Sequence, residues 1–130
     1  MEQAITKKLL IVEDEPMIRH AMVEFFSTKK DIIVLAAKDG TEGLESALRE
    51  HPDLIILDMV MPGMDGIDVL TALRDDPWGE KAKVMFLTNQ DDPEKVAEAH
   101  AKGVYEFVLK SSMDVKELVE QVHKKMFEKP

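Results

Sequence analysis

The chain has 130 residues and a mass of 14.7 kDa, the length of one domain, and its 45% hydrophobic and 33% charged residues place it in the globular range. A formal net charge of −9 repels nucleic-acid phosphates, so direct nucleic-acid binding is not expected, whereas a partner with a basic docking surface is compatible. With no cysteine there is no disulfide framework, thiolate metal site or cysteine nucleophile, and no run approaches the roughly 20 apolar residues of a membrane span; both features suit the cytoplasm.

Five short apolar runs alternate with longer segments of helical periodicity. The first run, Lys8 to Val12, leads into Glu13, Asp14 and Glu15 and then a helix whose face is Ile18, Ala21, Met22, Phe25 and Phe26. Asp39 and Gly40 separate the second run, Ile32 to Ala36, from a helix marked by Leu44, Ala47 and Leu48. Leu54 to Leu57 runs into Asp58 and a turn-rich stretch with Pro62, Gly63 and Gly66, and a third helix carries Ile67, Leu70 and Leu73. Val84 to Leu87 ends at Thr88. The segment from Pro93 to Lys102 follows with a weak stripe of Val96, Ala97 and Ala99, which predicts the least firmly anchored helix. Tyr105 to Leu109 ends at Lys110, and the last helix shows Val115, Leu118, Val119, Val122 and Met126 on one face.

Strand and helix in regular alternation predict an α/β fold, a doubly wound five-stranded parallel sheet of (βα)5 type, as one domain over 1–130 with its core at about 7–127. Continuously apolar first, third and fourth runs suit central strands covered on both faces. In a parallel sheet the carboxyl ends share one rim, where ligands bind. Glu13, Asp14, Glu15, Asp58, Thr88 and Lys110 should therefore meet in one crevice.

Each residue has a plainer role when taken singly. The acid trio suits the first turn of a helix, Asp58 an Asx turn, Thr88 a helix cap, and Lys110 a solvated strand end. Their common rim favours chemistry instead. Close carboxylates with no His or Cys suit a hard ion such as Mg²⁺, with Mn²⁺ as the alternative. Thr88 and Lys110 are donors for which a cation has no use; with the metal they match the three oxygens of a phosphoryl group on Asp58.

The stretches IVEDEPMIR at 11–19, LIILDMVMPGMDG at 54–66, VMFLTNQ at 84–90 and GVYEFVLKS at 103–111 together resemble the receiver domain of two-component response regulators, the CheY-like family, from Lys8 to about Lys125. The resemblance implies a flavodoxin-like sheet of strand order 2-1-3-4-5. It also implies a signalling switch with Asp58 as phosphoacceptor, Glu13 and Asp14 with Asp58 and the Val60 carbonyl around Mg²⁺, and Thr88 and Lys110 on the phosphoryl oxygens. The donor would be a phosphohistidine on a sensor histidine kinase or histidine phosphotransfer protein. Thr88 and Phe107 would move on phosphorylation and alter the face of the fourth helix, fifth strand and fifth helix for a downstream protein or output domain. Such a domain catalyses its own phosphorylation and dephosphorylation and is not a turnover enzyme. Tyr105, two positions before Phe107, reads as an ordinary strand residue.

The sequence departs from the family pattern in four places. Ser111 stands where Pro usually follows the Lys, and since a cis bond to a non-proline residue costs about 3 kcal/mol the Lys110–Ser111 bond is expected trans. Asn89 is bulkier than the small residue common after the Thr. Val60 and Gln90 flank the path of attacking water with no good general base, so self-hydrolysis should be slow. Tyr105 and Glu106, with no Arg in the last helix, differ from the transcription-factor receivers that dimerise through that face. Val60 also occupies the place of the second Asp in phosphatases of the haloacid-dehalogenase type, and EDEP replaces the phosphate loop of a flavin carrier, which disfavours both rivals.

Overall fold

The computed structural model describes residues 5–89 and 92–128. Strands and helices alternate as β1 Lys7–Val12, α1 Pro16–Phe26, β2 Ile32–Ala37, α2 Gly40–Glu50, β3 Leu54–Asp58, α3 Gly66–Arg74, β4 Val84–Thr88, α4 Pro93–Ala101, β5 Phe107–Leu109 and α5 Val115–Phe127. Short 3₁₀ turns at Gly79–Lys81 and Lys110–Ser112 precede β4 and follow β5. All neighbouring strands are parallel, in the order β2-β1-β3-β4-β5. The chain winds outward from β1 to β2, then restarts at β3 on the other side, so the crevice at the carboxyl ends of β1 and β3 is the switch point of the sheet.

The continuously apolar strands divide their side chains between two cores. Leu10, Val12, Ile55, Leu57 and Phe86 pack with Leu70 and Leu73 of α3 on one face. Leu9, Ile11, Ile56 and Leu87 pack with Met22 and Phe26 of α1 and Leu118 and Val122 of α5 on the other. Alternate residues of one strand thus enter opposite cores, which a half-solvated sheet would not allow.

Asp side chains start four of the helices. Asp39 accepts from Glu42 N at 2.8 Å, Asp65 forms a reciprocal capping box with Asp68, Asp92 accepts from Lys95 N at 3.3 Å, and Asp114 from Glu117 N at 3.3 Å. Each such cap contributes about 1 kcal/mol. Because Asp92 fills this role for α4, Thr88 is left at the end of β4 rather than capping the helix.

One expectation changes and two hold. The fifth strand begins at Phe107 rather than Tyr105: sheet pairing starts where Phe86 N donates to Glu106 O at 3.0 Å, while Gly103 turns the chain with φ 84° and Tyr105 stands 71% exposed before the strand. Tyr105 is therefore a loop residue, its ring stacked on His100 with centroids 5.1 Å apart. The Lys110–Ser111 bond is trans, since no described peptide is cis, and it opens a 3₁₀ turn. The weak stripe of α4 leaves Ala99 as its sole buried residue, against five in α3. Low apolar burial makes that helix the easiest to displace.

Candidate functional site

Three central strands end at one rim with acids or a hydroxyl. The β1 backbone runs straight into Glu13, Asp14 and Glu15, and Arg19 holds that loop by donating to the Glu13 carbonyl at 2.9 Å and the Asp14 carbonyl at 3.4 Å. Asp58 and Thr88 are the last residues of β3 and β4. Gly66 lets α3 start beside Asp58: a Cβ there would lie 2.4 Å from the Asp58 carbonyl oxygen. Lys110, in the turn after β5, reaches back across the crevice.

Its ammonium is the centre of the cluster. Lys110 Nζ lies 2.7 Å from Glu13 Oε1, 2.9 Å from Glu15 Oε1 and 3.1 Å from Asp58 Oδ2. The Lys110, Glu13 and Asp58 side chains are all but fully buried, whereas that of Glu15 is about half exposed. Lys110 is thus no solvated strand end. Glu13 Oε2 accepts from Glu15 N at 3.0 Å, and Asp58 Oδ1 accepts from Val60 N at 3.3 Å, so Asp58 also forms the Asx-type turn that its sequence context allowed.

One cation among the four carboxylates Glu13, Asp14, Glu15 and Asp58 leaves the cluster three charges negative when all ionise. Burial first, then hydrogen bonding to and repulsion from Glu13 and the contact with Asp14, push the Asp58 carboxyl up to about 8, with Lys110 opposing. For Lys110, burial disfavours the ammonium, but Glu13, Glu15 and Asp58 outweigh it and hold the proton more tightly than in free lysine.

This donor set fits a divalent cation. One oxygen from each of Glu13, Asp14 and Asp58 lies within 4.8 Å of the others. Glu13 Oε1, though beside Lys110, is fully buried and accepts no hydrogen bond of good geometry. An all-oxygen, strongly negative site of this kind suits a hard ion.

Beside Asp58 a cavity of about 340 Å³ is lined by Met59, Val60, Thr88, Asn89, Asp92 and Lys95. Thr88 is buried and Val60 is 56% exposed. Lys95 of α4 pairs with Asp65 at 3.4 Å, linking α4 to the start of α3. Phe107 is half-buried, its ring 5.9 Å from Phe86 and edge-on to His100 at 5.6 Å. Gln90 lies outside the described residues.

The structure therefore gathers Glu13, Asp14, Asp58 and Lys110 tightly, sets Thr88 and Val60 at the adjoining cavity, and keeps Phe107 further back against the α4 side of the sheet. The sequence places Glu15 at the crevice without a partner and gives Arg19 no role. Glu15 shares the ammonium and Arg19 braces the loop; both sit in the acid-rich stretch that drew attention, but only the backbone path after β1 shows which atoms they meet.

Comparison with known proteins agrees with this fold. The response regulator receiver domain pattern matches residues 9–123. The chain is 34% identical over 116 residues to the nitrate/nitrite response regulator protein NarL of Escherichia coli K12, covering 88% of this chain and 52% of that protein. It is 34% identical over 109 residues to the transcriptional regulatory protein LiaR of Bacillus subtilis, covering 81% and 49%. The chain thus spans about half the length of the curated relatives it matches. Among solved structures, the chemotaxis protein CheY4 of Vibrio cholerae superposes with a TM-score of 0.81 at 28% identity, covering 92% of this chain and 98% of that one. The signal receiver domain of the response regulator NarL from Mycobacterium tuberculosis gives 0.79 at 28%, covering 96% and 99%. Receivers of this kind generally bind Mg²⁺ and act as phosphorylation switches. The chain belongs to the response regulator receiver domain family of two-component signalling.

Proposed function

We propose that Asp58 accepts a phosphoryl group from a phosphohistidine on a sensor histidine kinase or histidine phosphotransfer protein. The observation that carries this reading is the buried Lys110 ammonium bridging Asp58 and Glu13 at the carboxyl rim, beside a hydroxyl and an open cavity. An Asp58 carboxylate oxygen attacks phosphorus, the new O–P bond forms as the P–N bond breaks, and the electron pair leaves with the imidazole, which takes a proton. Glu13, Asp14, Asp58 and the Val60 carbonyl are the residues that would hold Mg²⁺, which when bound supplies charge neutralisation for the carboxylates and a phosphoryl oxygen. Lys110 and Thr88 donate to the remaining oxygens, Lys110 releasing Asp58 as its own partner in doing so.

The switch follows from the change in charge. Once Asp58 carries the acyl phosphate, Thr88 is drawn toward the phosphoryl group, β4 and α4 adjust, and Phe107 moves further into the space behind Thr88. Slight anchoring of α4 keeps this displacement inexpensive. The α4, β5 and α5 face then differs between two states and is read by a downstream protein or an output domain. The domain works as one receiver unit over 1–130, in the cytoplasm, catalysing its own modification without turnover of an external substrate. Val60 and Gln90 offer attacking water no base, so the acyl phosphate is long-lived.

The test is intact-mass measurement after incubation with a small-molecule phosphodonor. The native chain should gain one phosphoryl group with Mg²⁺ and none with chelator, and Asp58→Asn should gain none. An equal gain in Asp58→Asn would move the acceptor elsewhere.

A further inference from the structure

A second cavity lies at the opposite end of the sheet, and nothing in phosphoryl transfer uses it. It has a volume of about 490 Å³, within the roughly 300–1,000 Å³ of small-molecule sites. It opens between the amino ends of β1, β3 and β4 and the last turn of α5. Along the length of β3 it stands about 13 Å from Asp58, at 3.3 Å per residue.

Its floor is apolar: Leu54, Ala82 and Met126 are buried there, and the ring of Trp78 forms a wall. That wall is held by one stacked ring and by the backbone around it. His51, at the left-handed C-cap of α2, stacks on the Trp78 ring at 4.4 Å with the planes 6° apart. Asp76 Oδ2 accepts from Trp78 N and Gly79 N, each at 2.9 Å, and Arg74 Nη1 donates to the Gly79 and Ala82 carbonyls at 2.7 and 2.9 Å. Gly79 packs so closely on α3 that a Cβ would lie 2.2 Å from the Leu73 carbonyl oxygen. A site built on such a frame loses little entropy on binding.

The mouth is cationic in a chain of net charge −9: Lys7, Lys81, Lys83 and Lys125 line it, against one acid, Asp53. Asp53 Oδ2 is engaged by Lys8 N at 2.8 Å. Two of the lysines are occupied, Lys7 by the Met126 carbonyl and Lys125 by Glu106. Lys81 and Lys83 make no ion pair among the described residues.

We infer that this cavity binds a small organic anion with a flat apolar body, its ring or chain against Trp78 and the floor and its charge between Lys81 and Lys83. Desolvated apolar area supplies affinity and the two ammonium groups fix orientation. Occupancy would tie the amino ends of β1, β3 and β4 to α5 independently of the phosphorylation site.

Trp78 is the single tryptophan of the chain, so its fluorescence reports on this cavity. The probe is 8-anilino-1-naphthalenesulfonate, titrated into the full chain with excitation of Trp78. Saturable one-to-one energy transfer is expected. It should weaken at least tenfold in the double variant Lys81→Glu, Lys83→Glu and stay unchanged in Asp58→Asn. The uncharged analogue N-phenyl-1-naphthylamine should bind at least tenfold more weakly. Circular dichroism of the double variant, altered only at exposed positions, checks that it folds. Absence of saturable transfer, equal affinity of the folded double variant, or equal affinity of the neutral analogue overturns the inference.

Discussion

Replacing Asp58 by Asn should make the protein more stable, and more so as pH rises. The carboxyl titrates at about 8 when folded against an ordinary 3.8, because burial and the Glu13 and Asp14 carboxylates disfavour its charge. An acid whose folded value is raised binds more protons folded than unfolded between those two values. Stability from this group is therefore full below about pH 4, falls as pH rises, and levels off above about pH 8. At roughly 1.4 kcal/mol per pH unit, the loss at pH 7 is on the order of 4 kcal/mol as an upper bound, because relaxation of the cluster and Lys110 reduce it. Asn keeps the shape without the charge and leaves Lys110 to Glu13 and Glu15. Urea unfolding with chelator present, followed by far-ultraviolet circular dichroism at pH 5, 6, 7 and 8 in both proteins, isolates the Asp58 contribution as the difference between them. Asp58→Asn should gain about 1 to 4 kcal/mol at pH 8 and progressively less toward pH 5. A variant equally or less stable at pH 8, or a gain that shrinks as pH rises, would refute the reasoning.

Mg²⁺ should raise the urea midpoint of the native chain and do so much less in Asp58→Asn, since only the native cluster gains a cation for its surplus charge. Lys110→Met strips the buried carboxylates of their ammonium and should cost about 3 to 5 kcal/mol in chelator, a deficit that added Mg²⁺ partly restores in the same unfolding assay. Arg74→Met loses the hydrogen bonds to Gly79, Ala82 and Lys102 and should cost about 2 to 4 kcal/mol, with a changed Trp78 emission maximum. Val60→Asn places beside the acyl phosphate an amide that orients the attacking water by hydrogen bonding, though it is no base, and should shorten the lifetime severalfold, read by loss of the phosphorylated mass over time.

The sheet was legible because its apolar runs are short, continuous and regularly spaced, which calls for a parallel sheet between two helical layers; its order 2-1-3-4-5 was legible only through the resemblance to receiver domains. Asp58, Thr88 and Lys110 could be assigned to one rim by the same reasoning, since parallel strands share a direction. The start of β5 was not legible. Gly103 marks the turn before it, but Tyr105 has a strand-forming side chain, and apolar periodicity carries no trace of the exposure that delays pairing to Glu106. Long-range pairings were equally hidden. The sequence shows Glu15 only as one of three acids, and the Lys110 bridge among Glu13, Glu15 and Asp58 needs side-chain reach across β1, β3 and β5. The His51 and Trp78 stack joins two loops with no sequence signal at all, because a left-handed histidine is set by the end of α2 and not by its neighbours.

Chemical identification of the modified side chain tests the central claim most directly. Borohydride reduction of the phosphorylated chain converts an aspartyl phosphate to homoserine, and peptide mass spectrometry locates it. The account predicts homoserine at position 58 alone and only when Mg²⁺ was present during phosphorylation; homoserine at another carboxylate, or a phosphoryl group on a nitrogen or hydroxyl side chain that leaves no homoserine, would contradict it.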